Sequence, residues 1–349
     1  MRLLLIDGSS LLSTSFFGSL PMDYKRAKTD EDRERALSKV MQMNGEYTNG
    51  VFTMMKNIEK ILVHQKPSHL SVAWDLNRET FRRVLYPEYK SNRGETNPAL
   101  KSQFGLAQRV LKEMNISQFV LDGFEADDIL GTLSKRFKDD LPVYLLSKDQ
   151  DVIQLVDEHI RLWLITSKAQ DMYAEFGMNQ KELDIPDNTF ELTPYYVKEL
   201  YGVNPIQIID RKALEGDSSD AIPGIRGVGE TSSVPLLQEF TNIEGLYEYI
   251  EDTPEKEIKA FFKSLGINRS PLSYLTKTSD TQLVGKASAL LSKTLATIDC
   301  QVPDLVDVQL DDLALRIDMD GRKRVYKELA FKSLLEKELE IEKQLQLVN

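Results

Sequence analysis

The chain is poor in the residues that hold soft metals. It has one cysteine, Cys300, and three scattered histidines, His64, His69 and His159, in 349 residues. A lone thiol excludes an internal disulfide and a thiolate zinc site, and it makes a cytoplasmic location the default. A bound metal would then be held by oxygen, which selects a hard ion, magnesium or manganese rather than zinc. Long apolar runs are absent: none approaches the ~20 residues that cross a bilayer. The opening MRLLLI stops at Asp7, too short for the core of a secretory signal. No membrane partner is expected. Net positive charge is missing as well, since 55 acidic against 44 basic residues give −11. That balance disfavours a polyanionic partner only if charge is evenly spread, so its distribution matters more than its sum. There is no internal repeat and no low-complexity tract.

What is present is strand–helix alternation. RLLLI (2–6), HLSVAW (69–74), SQFVL (117–121), PVYLLS (142–147) and HIRLWLIT (159–166) read as short buried strands. Helical spacing or helix-start signals mark 47–64, 98–115, 124–138 and a short turn at 149–156. This alternation predicts an α/β fold with a parallel sheet covered on both faces. After about residue 170 the strand signals fade. Helices are expected at 193–201, 205–213, 230–240, 242–250, 254–265 and, as one long element, 321–346. The polar segment 21–46 reads as a surface excursion.

Acids fall at strand ends. Asp7 follows the first strand and Asp75 the second. Glu125, Asp127 and Asp128 lie just beyond the third, and Asp149 and Asp151 beyond the fourth. Ligands of open α/β sheets bind outside the carboxyl ends of the strands. On a helical wheel Glu125, Asp127 and Asp128 share one half of the surface. A helix N-terminus offsets part of their repulsion, and a cation is the expected remedy for the rest. A further acidic pair, Asp217 and Asp220, precedes a glycine-rich turn with Gly224, Gly227 and Gly229. Such a turn can present backbone N–H groups to phosphate oxygens. Positive charge is concentrated between Leu76 and Lys112, where eight basic and three acidic residues give net +5. Phe81, Tyr86 and Tyr89 are interleaved with it, a combination suited to single-stranded nucleic acid.

These residues, in this order, resemble the bacterial and phage 5′-nucleases: the 5′–3′ exonuclease domain of DNA polymerase I and the flap endonucleases. The matching stretches are LLLIDGSSLL (3–12), AWDLNRETFRRVLYPEYKSNR (73–93), GFEADDILGTL (123–133), LLSKDQDVIQLV (145–156), ALEGDSSDAIPGIRGVGE (213–230) and LAFKSLLEKEL (329–339). No polymerase follows, so a stand-alone version is expected. The resemblance implies a PIN-like catalytic domain over 1–175, with 76–100 as a helical arch or clamp. It implies a helical DNA-binding domain over 176–349, with a helix-hairpin-helix element at 217–240. It implies metal ligands at Asp7, Asp75, Glu125, Asp127, Asp128, Asp149, Asp151, Asp217 and Asp220, holding two magnesium ions with manganese as a substitute. It places Lys90 and Arg82 at the scissile phosphate, with Asp128 in the catalytic set. Tyr86, Tyr89, Arg93, Gly224, Gly227 and Gly229 would contact DNA, and potassium would sit at the 224–229 hairpin.

The expected activity is two-metal hydrolysis of DNA phosphodiesters at single-strand/duplex junctions, by a monomer, in replication or repair. Where relatives continue the hairpin with Lys-Thr-Ala, this chain has Thr231-Ser232-Ser233, which puts duplex anchoring in question. The rival readings are a PIN-type ribonuclease and a non-catalytic DNA-binding protein.

Overall fold

The computed structural model describes residues 1–336. Six strands form one sheet: β1 (Leu3–Asp7), β2 (His69–Thr80), β3 (Ser117–Gly123), β4 (Val143–Ser147), β5 (Ile160–Ile165) and β6 (Thr189–Leu192). Their order is β3-β2-β1-β4-β5-β6; the first five are parallel and β6 runs antiparallel at the edge. The expected α/β class, with a mostly parallel sheet and a helical second half, is the observed one.

The pleat divides the core. Leu4 and Ile6 face a layer built from α1 (Gly8–Ser19), α2 (Asn49–His64) and α3 (Pro98–Glu113). Leu3 and Leu5 face α4 (Ala126–Phe137) and the helices of the second half. Three of the latter matter below: α5 (Ile208–Glu215), α6 (Glu230–Phe240) and α7 (Gly285–Ala296). The apolar core under α4 continues into these helices, so both halves share one interior.

Several elements depart from the sequence reading. Helix α1 was not expected, because GSSLLSTSFFGS is serine-rich and has no helical stripe. It forms because it is covered by the core rather than by virtue of propensity. Asp7 caps it, accepting from the Ser10 N–H at 2.9 Å. Gly8 sits where a Cβ would meet Val72 Cγ1 at 2.7 Å and the Trp74 ring at 2.8 Å, so only glycine allows this approach to β2. Asp75 does not follow its strand. It lies inside β2, at the last regular pair with β3 before a register shift, and β2 runs on to Thr80. Strand β6 and helix α7 carried no clear signal.

The expected long helix at 321–346 is interrupted. Met319–Glu328 is helical, and Ala330 then adopts a left-handed backbone with φ 54°. The rest of that expectation, beyond Glu336, lies outside the described residues. The 21–46 excursion contains two short helices, Met22–Arg26 and Asp30–Leu37, and a two-stranded ribbon pairing 42–43 with 46–47. Among the described residues, no helix is long and apolar enough to cross a membrane.

Candidate active site

Parallel pairing brings the carboxyl ends of β1 and β4 beside the point where β2 leaves its regular register, and the acids of all three with them. Asp7 is buried at the end of β1; its other carboxylate oxygen accepts from the Ser147 hydroxyl at 2.8 Å. Asp75 reaches across to accept from the Ala126 N–H at the start of α4, at 2.9 Å. Asp149 follows β4 and accepts from the Asp151 N–H at 2.9 Å. Asp127, in the first turn of α4, repels Asp149 and Asp7. Its side chain has no hydrogen-bond or ion-pair partner among the described residues.

Burial, then the charges of Asp75 and Asp149, push the Asp7 carboxyl up to about 7, against the pull of Ser10 and Ser147. Burial, then Asp149 and Asp7, push Asp127 well above the carboxylate range. Asp151 is raised to about 7 by burial and Asp149, despite Lys212. Carboxylates held this way need either protons or a cation.

The sign of the resulting pH dependence follows. A carboxyl raised from 3.8 to about 7 on folding contributes stability that is complete below 3.8 and lost as pH climbs through 7. Asp157 and Asp217, held at about 2, act oppositely, but only below their unfolded value. His69, lowered by burial, opposes weakly as pH falls. In EDTA, the melting temperature is therefore expected to be higher at pH 5 than at pH 8, with Mn²⁺ restoring the loss at pH 8. An equal or higher melting temperature at pH 8 in EDTA would contradict this account of the buried carboxylates.

A second acidic group lies beside the first but carries its own cations. Lys212 of α5 bonds Asp151 and also Asp217, the latter at 2.5 Å. Arg93 pairs with Asp220, whose other oxygen lies 3.7 Å from Lys90 Nζ. Reciprocal N–H···O bonds of 2.9 Å between Asp217 and Ile222 close the loop that carries both acids. Against the upward push of burial, Lys212 and Ser219 keep Asp217 at about 2.

The segment expected as a helical arch is folded down onto these acids. After β2 it forms one five-residue helix, Phe81–Leu85, and then turns. Pro87 cannot extend that helix. Tyr89 instead packs with Ile209, Ile222, Leu295 and Ala296, with Tyr86 against the same cluster. Arg78 closes the base of the segment by donating to the Arg93 and Gly94 carbonyls. Lys90 has a left-handed backbone, φ 54°, fixed by its N–H to the Asp220 carbonyl at 2.8 Å. Its ammonium lies 2.6 Å from Glu125.

Four sequence-level assignments change. Asp128 does not join the acids of the sheet edge. It is fully buried, forms a two-point pair with Arg82 at 2.8 and 2.7 Å, and accepts from the Glu125 and Asp299 N–H groups. The helical-wheel argument fails because Glu125 is an extended N-cap, φ −92° and ψ 161°. The ~100° between Asp127 and Asp128 then aims them at different surroundings.

Arg82 is not free for a phosphate. It is 2% exposed and also donates to Glu125 and to the Leu295 and Thr297 carbonyls at the end of α7. Tyr89 is 4% exposed, with its hydroxyl on Glu125 at 3.0 Å, so it offers no face for stacking. Gly224 is buried, and its N–H donates to Ser292 while its carbonyl accepts from Ser288. A Cβ at Gly224 would fall 2.1 Å from the Gly216 nitrogen, so glycine is required there for closure of the hairpin. Gly227 and Gly229 are exposed.

Two residues that matter were missed. Ser147 orients Asp7 from a neighbouring strand, and Lys212 neutralises the second group. Neither a strand-end serine nor a helical lysine stands out in sequence. Among the described residues no three carboxylates converge closely enough to enclose an ion as they stand. The donor chemistry still fits a hard cation. Asp7, Asp75, Asp127 and Asp149 supply oxygens only and make no ion pair among the described residues.

Comparison with known proteins bears on the family and the fold. Residues 2–182 match the family model described as 5′-3′ exonuclease, N-terminal resolvase-like domain, and residues 203–320 match 5′-3′ exonuclease, C-terminal SAM fold. A 5′-3′ exonuclease of Halalkalibacterium halodurans is 31% identical over 322 residues, 91% of this chain and 90% of that protein. DNA polymerase I of Bacillus caldotenax is 34% identical over 340 residues, 96% of this chain but 32% of that protein. The chain thus spans about a third of the DNA polymerase I relatives it matches. Bacteriophage T5 5′-exonuclease, solved with divalent metal ions (zinc) bound, shares the fold. Its TM-score is 0.55 at 17% identity, over 95% of this chain and 98% of that one.

Proposed function

Since the chain belongs to the 5′–3′ exonuclease family, we propose that it is a metal-dependent 5′-nuclease that hydrolyses DNA at single-strand/duplex junctions. The observation that carries this reading is the set Asp7, Asp75, Asp127 and Asp149, of which Asp7 is buried and none makes an ion pair among the described residues, beside a lysine held in a left-handed backbone. Those four acids would hold one divalent ion, magnesium or manganese, and Asp149, Asp151, Asp217 and Asp220 a second. Such ions, when bound, activate water and neutralise charge on the phosphate.

The chain's own groups do the rest. Lys90 exchanges Glu125 for a phosphate oxygen and stabilises charge developing there. Arg93, with about half its side chain exposed, is placed to contact the strand next to it. Tyr86 and Tyr89 shape and support the clamp rather than stack on bases. The N–H groups of Gly227 and Gly229, with exposed Arg226 and Thr231, face the duplex backbone. A potassium ion there would need carbonyls other than that of Gly224, which Ser288 already uses. With no lysine after Glu230, the duplex is held by main-chain and hydroxyl donors.

The test is cleavage of labelled 5′-flap, nicked and single-stranded DNA, and of matched RNA, with Mg²⁺ or EDTA. Flap DNA is expected to be cut near its junction to leave a 5′-phosphate, and EDTA to abolish cutting. Binding should weaken by about a hundredfold or more between 50 and 200 mM salt, since phosphate contacts dominate. Preferential cutting of RNA would favour the ribonuclease reading. Tight flap binding with no cutting in any divalent ion would favour a non-catalytic role.

A further inference from the structure

Lys212 stands apart from the other cations of the site. Lys90, Arg82 and Arg93 come from the clamp segment, whereas Lys212 comes from α5, one turn before Gly216 ends that helix. A lysine in the last turn of a helix ordinarily serves the helix dipole and reaches into water. This one is turned inward, with 15% of its side chain exposed and its ammonium between Asp151 and Asp217. Asp151 and Asp217 are 14% and 17% exposed, so the triplet is largely shut off from solvent. Asp149 and Asp220 add their negative charge to that felt by Asp151. A cation is therefore already present where the acids of the second group meet. The first group has none.

We propose that Lys212 is the resident cation of the second acidic group. Its ammonium holds the place of a divalent ion between Asp151 and Asp217. Without DNA the protein therefore binds one divalent ion firmly, at Asp7, Asp75, Asp127 and Asp149, and a second only when Lys212 is displaced. The inference rests on the metal-dependent reading above and deepens it, because it assigns the two groups different affinities. An ammonium and a divalent ion cannot share one pair of carboxylates without strong repulsion. Removing the ammonium leaves acidic oxygens that a hard ion is suited to take.

The experiment is calorimetric titration of Mn²⁺ into the DNA-free protein, with Mn²⁺ paramagnetic resonance as a count of bound ions. Wild type is expected to bind one ion tightly and a second at least about tenfold more weakly. Lys212→Gln and Lys212→Met are both expected to tighten the second ion by about tenfold or more, and Lys212→Arg to leave the wild-type pattern. The glutamine variant keeps hydrogen-bond donors to both acids, so it guards against loss of folding in the methionine variant, and circular dichroism verifies both. If wild type already binds two ions equally, or if both neutral variants titrate as wild type does, the role of Lys212 is overturned while metal dependence stands. If wild type binds no Mn²⁺ at all, the metal-dependent reading itself fails.

Discussion

Asp127→Asn is expected to lower cleavage of a 5′-flap substrate in Mg²⁺ by at least about a hundredfold without destabilising the protein. The loss should exceed the ~10–100-fold that removal of an outer-sphere partner costs a metal site. Asp127 makes no hydrogen bond or ion pair among the described residues, so asparagine forfeits nothing structural. Its charge is repelled by Asp149 and Asp7 and penalised by burial. The variant's melting temperature in EDTA at pH 8 should therefore match or exceed that of wild type. The pair of readouts separates a ligand from a scaffold residue, because a structural aspartate would lose stability first. Wild-type cutting rates in this variant would remove Asp127 from the reaction.

Arg82→Met is expected to destabilise the fold by about 3–5 kcal/mol, the usual result of stripping one partner from a buried ion pair. Asp128 would be left fully buried without its two-point partner, and the carbonyls of Leu295 and Thr297 without their donor. Asp128→Asn should also destabilise, because its single amide oxygen can replace only one of the two carboxylate oxygens that accept from the Glu125 and Asp299 N–H groups. In a double-mutant cycle the two changes should couple by roughly 1–3 kcal/mol. Mn²⁺ binding to Asp128→Asn should persist at the wild-type stoichiometry, unlike that to Asp127→Asn. Were Arg82 a phosphate contact in a free arch, its replacement would reduce cleavage and leave the melting temperature unchanged. Urea denaturation of the single and double variants decides between these roles.

The class of the fold was legible because its determinants are local. Five short apolar runs, each followed by a helical period or turn, leave a parallel sheet as the natural arrangement. Strand-end acids were legible for the same reason: in such a sheet a residue's place along the chain sets which edge it reaches. The misses have a different cause. Helix α1 has little propensity and exists because β1 and β2 cover it. Lys212 looks like any helical lysine until the loop at 217–222 turns Asp217 back over it. The proposed clamp looked free-standing because its basic residues outnumber its acids in sequence, yet the side-chain partners of Arg82, Lys90 and Arg93 lie 35 to 215 positions away.

Sequence by itself determined the family, the sheet class and the pool of acids available at one edge. Each of these depends on residue type and order along the chain. Which acids face one another was decided only in three dimensions. Asp127 and Asp128 are adjacent in sequence and identical in chemistry. One helical step turns Asp127 toward the other strand-end carboxylates and Asp128 toward a buried arginine. No property of the pair itself distinguishes them. The distinction comes from what packs on each side of α4: the strand ends on one, and the clamp with the end of α7 on the other.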